Sequence, residues 1–449
     1  MKLPRILISA ASSGSGKTLL TCGILQALKN RGVRAASFKC GPDYIDPMFH
    51  TRVLGTRSRN LDTFFVKPDT ARYLLAENAA DCDIAVIEGV MGYYDGLAGI
   101  SVQGSAYDVA RVTDTPAVLI VNCKGMSVSI VPQILGFLKY QEESMIRGVI
   151  LNRISAMLYP RVKQMIEEQL PVKVLGYVPE LSDCVLESRH LGLVLPDEVR
   201  DLKEKVNKLA AALETSLDMD ALLTLASEAG ELRWEEPKLP EPVSKDRRVR
   251  VAVARDEAFC FLYEDNLRLL EKLGADLVEF SPIHDQTMPE ADGLLLPGGY
   301  PELYAQQLSE NISMREAVRR AVTGGMPCLA ECGGFMYLHR EMEDMQGNFW
   351  SMAGVINGRA YRTKKLGRFG YIHLAGEAFG RQYEQIPAHE FHYFDSEDCG
   401  DAFCAQKPLS TRGWKCMHTE YRMLAGFPHL YYYGAPEVAA GFLSACAKE

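Results

Sequence analysis

Residues 6–18 read Ile-Leu-Ile-Ser-Ala-Ala-Ser-Ser-Gly-Ser-Gly-Lys-Thr. An apolar run passes into a glycine-bearing turn, and from Lys17 to Asn30 the apolar residues recur at helical spacing. The order strand, loop, helix around Gly16-Lys17-Thr18 is that of a phosphate-binding loop. Backbone N–H groups and the helix N-terminus surround phosphate oxygens, the lysine reaches the β- and γ-phosphates, and the threonine hydroxyl binds Mg²⁺. The spacing Ala11-x4-Gly16-Lys17-Thr18 departs from the usual pattern in its first residue, alanine for glycine. Gly14, Ser15, Gly16, Lys17 and Thr18 are the predicted nucleotide-binding residues.

Outward from this stretch, short β-branched segments alternate with helical ones. Strands are predicted at Arg5–Ser9, Val33–Lys39, Ile84–Glu88, Ala117–Asn122, Gly148–Asn152 and Val174–Val178. Such alternation predicts an α/β fold, with a parallel sheet covered by helices on both faces. Carboxylates near the loop are needed to hold a metal ion. Glu88 ends a buried strand in the manner of a Walker B acid, and Asp43 and Asp46 lie in the proline-rich run Phe38–Pro47. From Pro196 to Ala229 the pattern turns helical and charged, and residues 231–248, with three prolines and many charges, read as a linker. A second α/β domain begins at Val249–Ala254, with strands at Asp276–Phe280, Gly293–Pro297 and Cys328–Glu331. The predicted division is 1–230, linker 231–248, and 249–449.

A chain of 449 residues exceeds what one core organises, which agrees with two domains. Net charge is −9 and no block of five basic residues occurs, which argues against nucleic acid and anionic membranes as partners. No apolar run approaches a membrane span, and Met1–Arg5 leads into the first strand without a signal-peptide pattern, so a cytoplasmic location is predicted. The 12 cysteines include no Cys-x-x-Cys pair, so no zinc or iron–sulfur site is indicated, and most read as buried thiols.

One cysteine stands apart. Cys332 lies between the apolar strand Cys328-Leu329-Ala330 and a predicted helix Gly333–Arg340, on a strand-to-helix elbow where Gly333 and Gly334 permit a tight turn. A helix N-terminus and a neighbouring histidine give a cysteine thiolate character, which makes it a nucleophile. Backbone N–H groups of Gly333 and of Gly299, in Pro297-Gly298-Gly299-Tyr300, are candidates for an oxyanion hole. The other 11 cysteines lack this setting and read as packing residues. Among 9 histidines, His429, His389 and His392 compete to be the base, and spacing does not choose among them.

Together the stretches Ser12–Thr18, Phe38–Pro47, Glu88–Gly96, Glu187–Leu193, Asp256–Leu270, Pro297–Glu302, Ala330–Leu338 and His389–Tyr393 resemble the cobyrinate a,c-diamide synthase family over nearly the whole chain. In that family a dethiobiotin-synthetase-like ATPase domain precedes a class I glutaminase domain of the cobyric-acid-synthase type. The resemblance implies ATP- and glutamine-dependent amidation of the a and c acetate carboxylates of a tetrapyrrole, cobyrinate, through an acyl phosphate, with Mg²⁺ and with ammonia from the glutaminase. It assigns Cys332 as nucleophile and His429 as the group that raises its nucleophilicity, and it places Asp43, Tyr44, Asp46 and Asp95 near the acceptor carboxylate and the metal. Thr18, Asp43 and Glu88 are the expected metal residues. The chain departs from the pattern around His429: no acid follows in the His-x-Glu position, and Phe427-Pro428-His429-Leu430-Tyr431 replaces an aromatic-x-His-x-His run. Nickel sirohydrochlorin or hydrogenobyrinate as acceptor is the alternative within the same chemistry. A switch-type ATPase with an inert glutaminase-like domain would carry a lysine early in the loop, where Ala11-Ser12-Ser13 stands. An ammonia-only ligase would not need Cys332. A monomer or homodimer is expected.

Overall fold

In a computed structural model, residues 1–179, 202–243 and 247–447 are described, with the backbone of two short strands at 188–189 and 192–193. Glu187, His190 and Leu191 of the motif at 187–193, residues 196–201 of the helical stretch, and Cys184 lie outside the described residues. The chain forms two compact units, Met1–Pro237 and Lys238–Glu449, dividing inside the stretch read as a linker. Among the described residues no helix is long and apolar enough to cross a membrane.

The first unit is built on β1 (Arg5–Ala10), β2 (Ala35–Cys40), β3 (Ser58–Leu61), β4 (Ile84–Glu88), β5 (Ala117–Asn122), β6 (Ile146–Asn152) and β7 (Lys173–Val178). These pair in the order β3-β2-β4-β1-β5-β6-β7, all parallel. Every residue of β1 and β4 is buried, as expected of strands covered on both faces. With β4 inserted between β1 and β2, the chain's path reverses beside β1, and the carboxyl ends of β1, β2 and β4 lie side by side. The edge strand β3, Ser-Arg-Asn-Leu, carries three polar residues and no β-branched one, so composition did not announce it. Helices Leu202–Ser216 and Met219–Ser227 close the unit, and the two short strands β8 (Ser188–Arg189) and β9 (Gly192–Leu193) pair with each other.

In the second unit β10 (Val249–Ala254), β11 (Ala275–Phe280), β12 (Gly293–Leu296), β13 (Cys328–Glu331) and a late strand, Met423–Gly426, make a parallel sheet. The late strand pairs with β13, so the chain leaves this sheet after Glu331 and returns to it at 423. The predicted helix Gly333–Arg340 ends at Leu338, because His339 enters a strand. Eight strands then follow: β14 (His339–Glu343), β15 (Phe349–Ser351), β16 (Ile356–Arg362), β17 (Phe369–Ala378), β18 (Arg381–Phe391), β19 (Phe394–Ser396), β20 (Phe403–Gln406) and β21 (Gly413–Cys416). With β22 (Met423–Gly426) in the parallel sheet and β23 (His429–Leu430) joined to β18, they form two further sheets, ordered β15-β14-β16-β19 and β21-β20-β17-β18-β23. The sequence reading assigned no strands to this inserted region. Its strands lie mostly half-exposed, so they lack the continuous apolar runs that mark the parallel sheet.

Arg5 is a charge in an otherwise apolar strand and is fully buried. Its guanidinium donates to Thr113 O (3.0 Å), Leu3 O (2.9 Å) and Asp114 O (3.0 Å), tying the start of β1 to the turn after the helix Ala106–Val112. Burial lowers its pKa, with Asp114 acting against that shift. Arg5→Met is expected to destabilise the first unit by about 3 kcal/mol, because buried carbonyls lose charge-assisted donors. The check is the urea midpoint of that unit, and an unchanged midpoint would show the three contacts to be dispensable.

Candidate active sites, one in each unit

At the carboxyl end of β1 the chain turns through Gly14 (φ 74°) and Gly16 (φ 88°) into the helix Lys17–Asn30. Gly16 is the N-cap and supplies no side-chain acceptor, so the first-turn N–H groups are not side-chain capped, the condition for anion binding. Asn152, at the end of β6, donates to Ser15 O at 3.0 Å and braces the loop. Lys17 is folded back, its Nζ donating to Ser12 O (3.0 Å) and Met91 O (2.5 Å). Burial, with the charge of Lys39, brings its pKa down to about 8.

Beside the loop lies a buried charge cluster. Thr18 Oγ1 donates to Glu88 Oε1 (2.6 Å) and lies 3.3 Å from Asp46 Oδ2. Lys39 Nζ bridges the same two carboxylates, 2.5 Å from Asp46 and 2.6 Å from Glu88. His50 Nε2 is 3.6 Å from the other Glu88 oxygen, and its Nδ1 meets Ser37 Oγ at 2.9 Å. Burial pushes Glu88 up to about 7 against the pull of Lys39, and lowers His50 to about 4. Burial alone would raise Asp46 as well, but Lys39 outweighs it and the carboxyl is held low.

Asp43 feels the charges of Lys39 and Asp46, but its hydrogen bonds go elsewhere. Its Oδ1 accepts from the N–H groups of Ile45 (2.8 Å) and Asp46 (3.1 Å), capping the short helix Ile45–Phe49, and burial raises it to about 6. Tyr44 is buried at the same turn, which Asn60 fixes by donating to Gly41 O and Asp43 O. Asp95 accepts from Gly92 N at 2.9 Å and shapes the turn after β4. The oxygen donors that meet are therefore Thr18, Asp46 and Glu88, a hard set suited to Mg²⁺, and a cation already rests among them as the Lys39 ammonium. Lys39 and His50 were not singled out by sequence. The available signal was a lysine in a buried strand: Lys39 stands directly opposite Glu88 in the β2–β4 register.

In the second unit Cys332 follows β13 with φ 46° and ψ −101°, a strained elbow for a non-glycine residue. Two glycines make the close approach possible. A Cβ on Gly333 would lie 2.9 Å from Pro301 Cδ and 3.0 Å from Gly299 N, and one on Gly334 would lie 2.7 Å from Leu296 Cβ. Gly299 and Gly333, the two candidate oxyanion residues, are thus neighbours. Burial, then the charges of Glu302 and Glu390, push the Cys332 thiol far above its ordinary value, while a hydrogen bond from Gly333 N–H acts the other way.

His429 is buried in β23, where Nδ1 lies 3.7 Å from Glu331 Oε2, the residue just before Cys332. His389 is its cross-strand partner, with the two rings stacked at 4.9 Å. His392 is engaged elsewhere: Nδ1 is 2.5 Å from Phe394 O, Nε2 is 3.1 Å from Glu390, and the ring stacks on Phe427 at 4.0 Å. Glu331 is not singled out by sequence, because the His-x-Glu pattern looks for an acid at position 431, where Tyr431 stands. Of the cysteines read as packing residues, Cys404 is exposed and Cys82 and Cys399 are half-buried, so that reading is corrected for these three.

Two family profiles match the chain. The CobQ/CobB/MinD/ParA nucleotide binding domain covers residues 6–193, and the CobB/CobQ-like glutamine amidotransferase domain covers residues 250–432. The chain is 38% identical to the cobyrinate a,c-diamide synthase of Caldanaerobacter subterraneus subsp. tengcongensis, over 98% of each chain. It is 38% identical to the enzyme of that name from Listeria innocua, over 97% of each chain. To the Priestia megaterium enzyme of that name it is 35% identical, over 98% of this chain and 97% of the relative.

Removing Lys39 tests the oxygen cluster. Lys39→Met leaves Asp46 and Glu88 buried without their cation, a loss of about 3–5 kcal/mol by analogy with other broken buried pairs. Millimolar Mg²⁺ is expected to restore part of the melting temperature in this variant and to have a smaller effect on the parent. Equal shifts in both proteins would show that the three oxygens do not take a divalent ion.

Proposed function

Since this chain belongs to the cobyrinate a,c-diamide synthase family, an amide-forming ligase family that uses glutamine, we propose that it amidates the a and c acetate carboxylates of cobyrinate with ATP and glutamine. The observation that carries this reading is the pairing, in one chain, of a phosphate loop beside a buried acid cluster with a cysteine on a strained elbow.

In the second unit the Cys332 thiol gives its proton to His429 and its sulfur attacks the glutamine amide carbon. Gly299 and Gly333 N–H groups receive the developing oxyanion. His429 returns the proton to the departing nitrogen, so ammonia leaves and a thioester remains. Water, deprotonated by His429, then hydrolyses the thioester to glutamate and regenerates the thiol. In the first unit an acceptor carboxylate oxygen attacks the γ-phosphorus of ATP, and ADP departs. Ammonia attacks the resulting acyl phosphate, phosphate leaves, and the amide forms. Two carboxylates consume two ATP and two glutamine.

Lys17 and the loop N–H groups hold the phosphates, and Lys39 offsets the charge that collects between phosphate and acceptor. Thr18, Asp46 and Glu88 would hold Mg²⁺, which when bound supplies neutralising charge to the β/γ-phosphate oxygens. Asp43 keeps the 43–49 turn in shape for Tyr44 and Asp46, and Asp95 does the same for the turn that follows β4.

Cys332→Ala is expected to abolish synthesis with glutamine and to preserve synthesis with high ammonium, read as diamide product by mass. Equal loss with both donors would mean that Cys332 serves the fold. Lys17→Ala is expected to abolish synthesis with either donor, and substantial ammonium-dependent product from it would remove the nucleotide assignment.

A further inference from the structure

We propose that Glu331 is the positioning residue for His429, supplying the acidic partner of the glutaminase centre from the strand that delivers the nucleophile. This rests on the reading of Cys332 as nucleophile and His429 as its base.

Glu331 is the last residue of β13 and is 5% exposed. A buried carboxylate requires compensation, and here it comes from one place. Oε2 lies 3.7 Å from His429 Nδ1, and Oε1 accepts from the backbone N–H of the next residue, Leu430, at 3.4 Å. Burial raises the Glu331 pKa, while the nearby His429 and the Leu430 N–H lower it, so an imidazolium at 429 favours its ionised form.

The backbone explains how neighbours in sequence serve one imidazole. In a regular strand, consecutive side chains point to opposite faces. At Cys332 the strand is broken by φ 46°, so its side chain is released from the alternation that Glu331 still obeys. The same residue pair also spans two sheets. β13 lies in the parallel sheet with β22, whereas β23 is hydrogen-bonded to β18, with His389 opposite His429. Glu331 therefore holds the histidine-bearing strand to the cysteine-bearing one.

A carboxylate at Nδ1 selects the tautomer with hydrogen on that nitrogen and makes Nε2 the basic nitrogen that takes the thiol proton. It then stabilises the imidazolium that results. The separation of 3.7 Å is longer than a hydrogen bond, as is common before substrate tightens a catalytic site. The stacked His389 ring, whose own charging burial strongly opposes, fixes the plane of His429 without competing for the proton.

The test uses the full chain. Glu331→Gln keeps the volume and an acceptor for Leu430 N–H but removes the charge. Glutaminase kcat is expected to fall about 10²–10⁴-fold with KM for glutamine within about threefold, the range for a base deprived of its orienting acid. The acid limb of the kcat/KM pH profile should move to lower pH, because the imidazolium has lost its counter-charge. Ammonium-dependent synthesis should persist. Glu331→Asp, which keeps the charge one methylene further away, should recover at least tenfold of the kcat lost in the Gln variant.

Unchanged kcat and acid limb in Glu331→Gln would overturn the proposal, as would a Glu331→Asp variant no better than Gln. If the Gln variant does not fold, Glu331→Met takes its place with the same outcomes: unchanged kcat and acid limb overturn the proposal, and a kcat defect at unchanged KM with the limb moved to lower pH supports it. His429→Asn separates the two layers of the argument. Retained glutamine hydrolysis in that variant refutes the base assignment itself. Lost hydrolysis there, with Glu331→Gln intact, refutes only the positioning role.

Discussion

The first unit is organised around one ammonium group. Lys39 Nζ, buried at the end of β2, is shared by Asp46 and Glu88, and Glu88 in turn receives the Thr18 hydroxyl at the start of the phosphate-loop helix. Two carboxylates could not stay ionised at this depth without a cation, since burial already lifts Glu88 to about 7. The pair also fixes geometry: Lys39 and Glu88 are opposite each other in register, so the strand order that puts β4 between β1 and β2 brings them together. Sheet order, the start of the loop helix and the oxygen donors thus meet at one point, where a buried charge must be paired.

The second unit resolves the opposite problem. Its cysteine is ringed by carboxylates rather than by cations: Glu302, Glu390 and Glu331 all act to keep the thiol protonated. Those charges and burial favour the thiol over the thiolate at Cys332. In the proposed reaction, attack by Cys332 is then coupled to proton removal, which requires a correctly oriented imidazole. Burial brings Glu302 up to about 7, so the surrounding charge itself varies near neutral pH.

Legibility in the sequence followed burial. Strands covered on both faces, such as Ile84–Glu88, Ala117–Asn122 and Cys328–Glu331, were read to the residue because continuous apolar runs have no other outlet. The polar edge strand at 58–61 and the half-exposed strands between 339 and 416 were not, because their side chains meet solvent and their pairing is set by register. At the sites, residues on a local motif were visible: Lys17, Thr18, Glu88, Cys332 and the glycines around it. Lys39 and Glu331 were not singled out, for one physical reason. Each acts across strands, Lys39 on Glu88 and Asp46, Glu331 on His429, and the separations of 49 and 99 residues behind the Lys39–Glu88 and Glu331–Leu430 hydrogen bonds carry no local pattern.

Both units place chemistry at the carboxyl end of a parallel strand, yet they open the backbone there differently. After β1 the turn uses glycines at positive φ and leaves the first-turn N–H groups without a side-chain cap; after β13 a cysteine itself takes positive φ. A glycine-built turn can shift without side-chain strain, which suits a loop that closes on phosphates. A strained cysteine is instead held by its neighbours, here the hydrogen bond from Cys332 N to Gly426 O (2.8 Å) and the glycine contacts of Gly333 and Gly334. That difference matches the demands on each site. In the proposed reaction a nucleotide enters and leaves in every cycle, whereas a sulfur that forms and breaks a thioester needs one fixed position relative to the oxyanion donors and its base. The elbow also ties the sequence Glu-Cys-Gly-Gly into a unit: the glycines admit the strain at Cys332, and the glutamate meets the strand that carries His429.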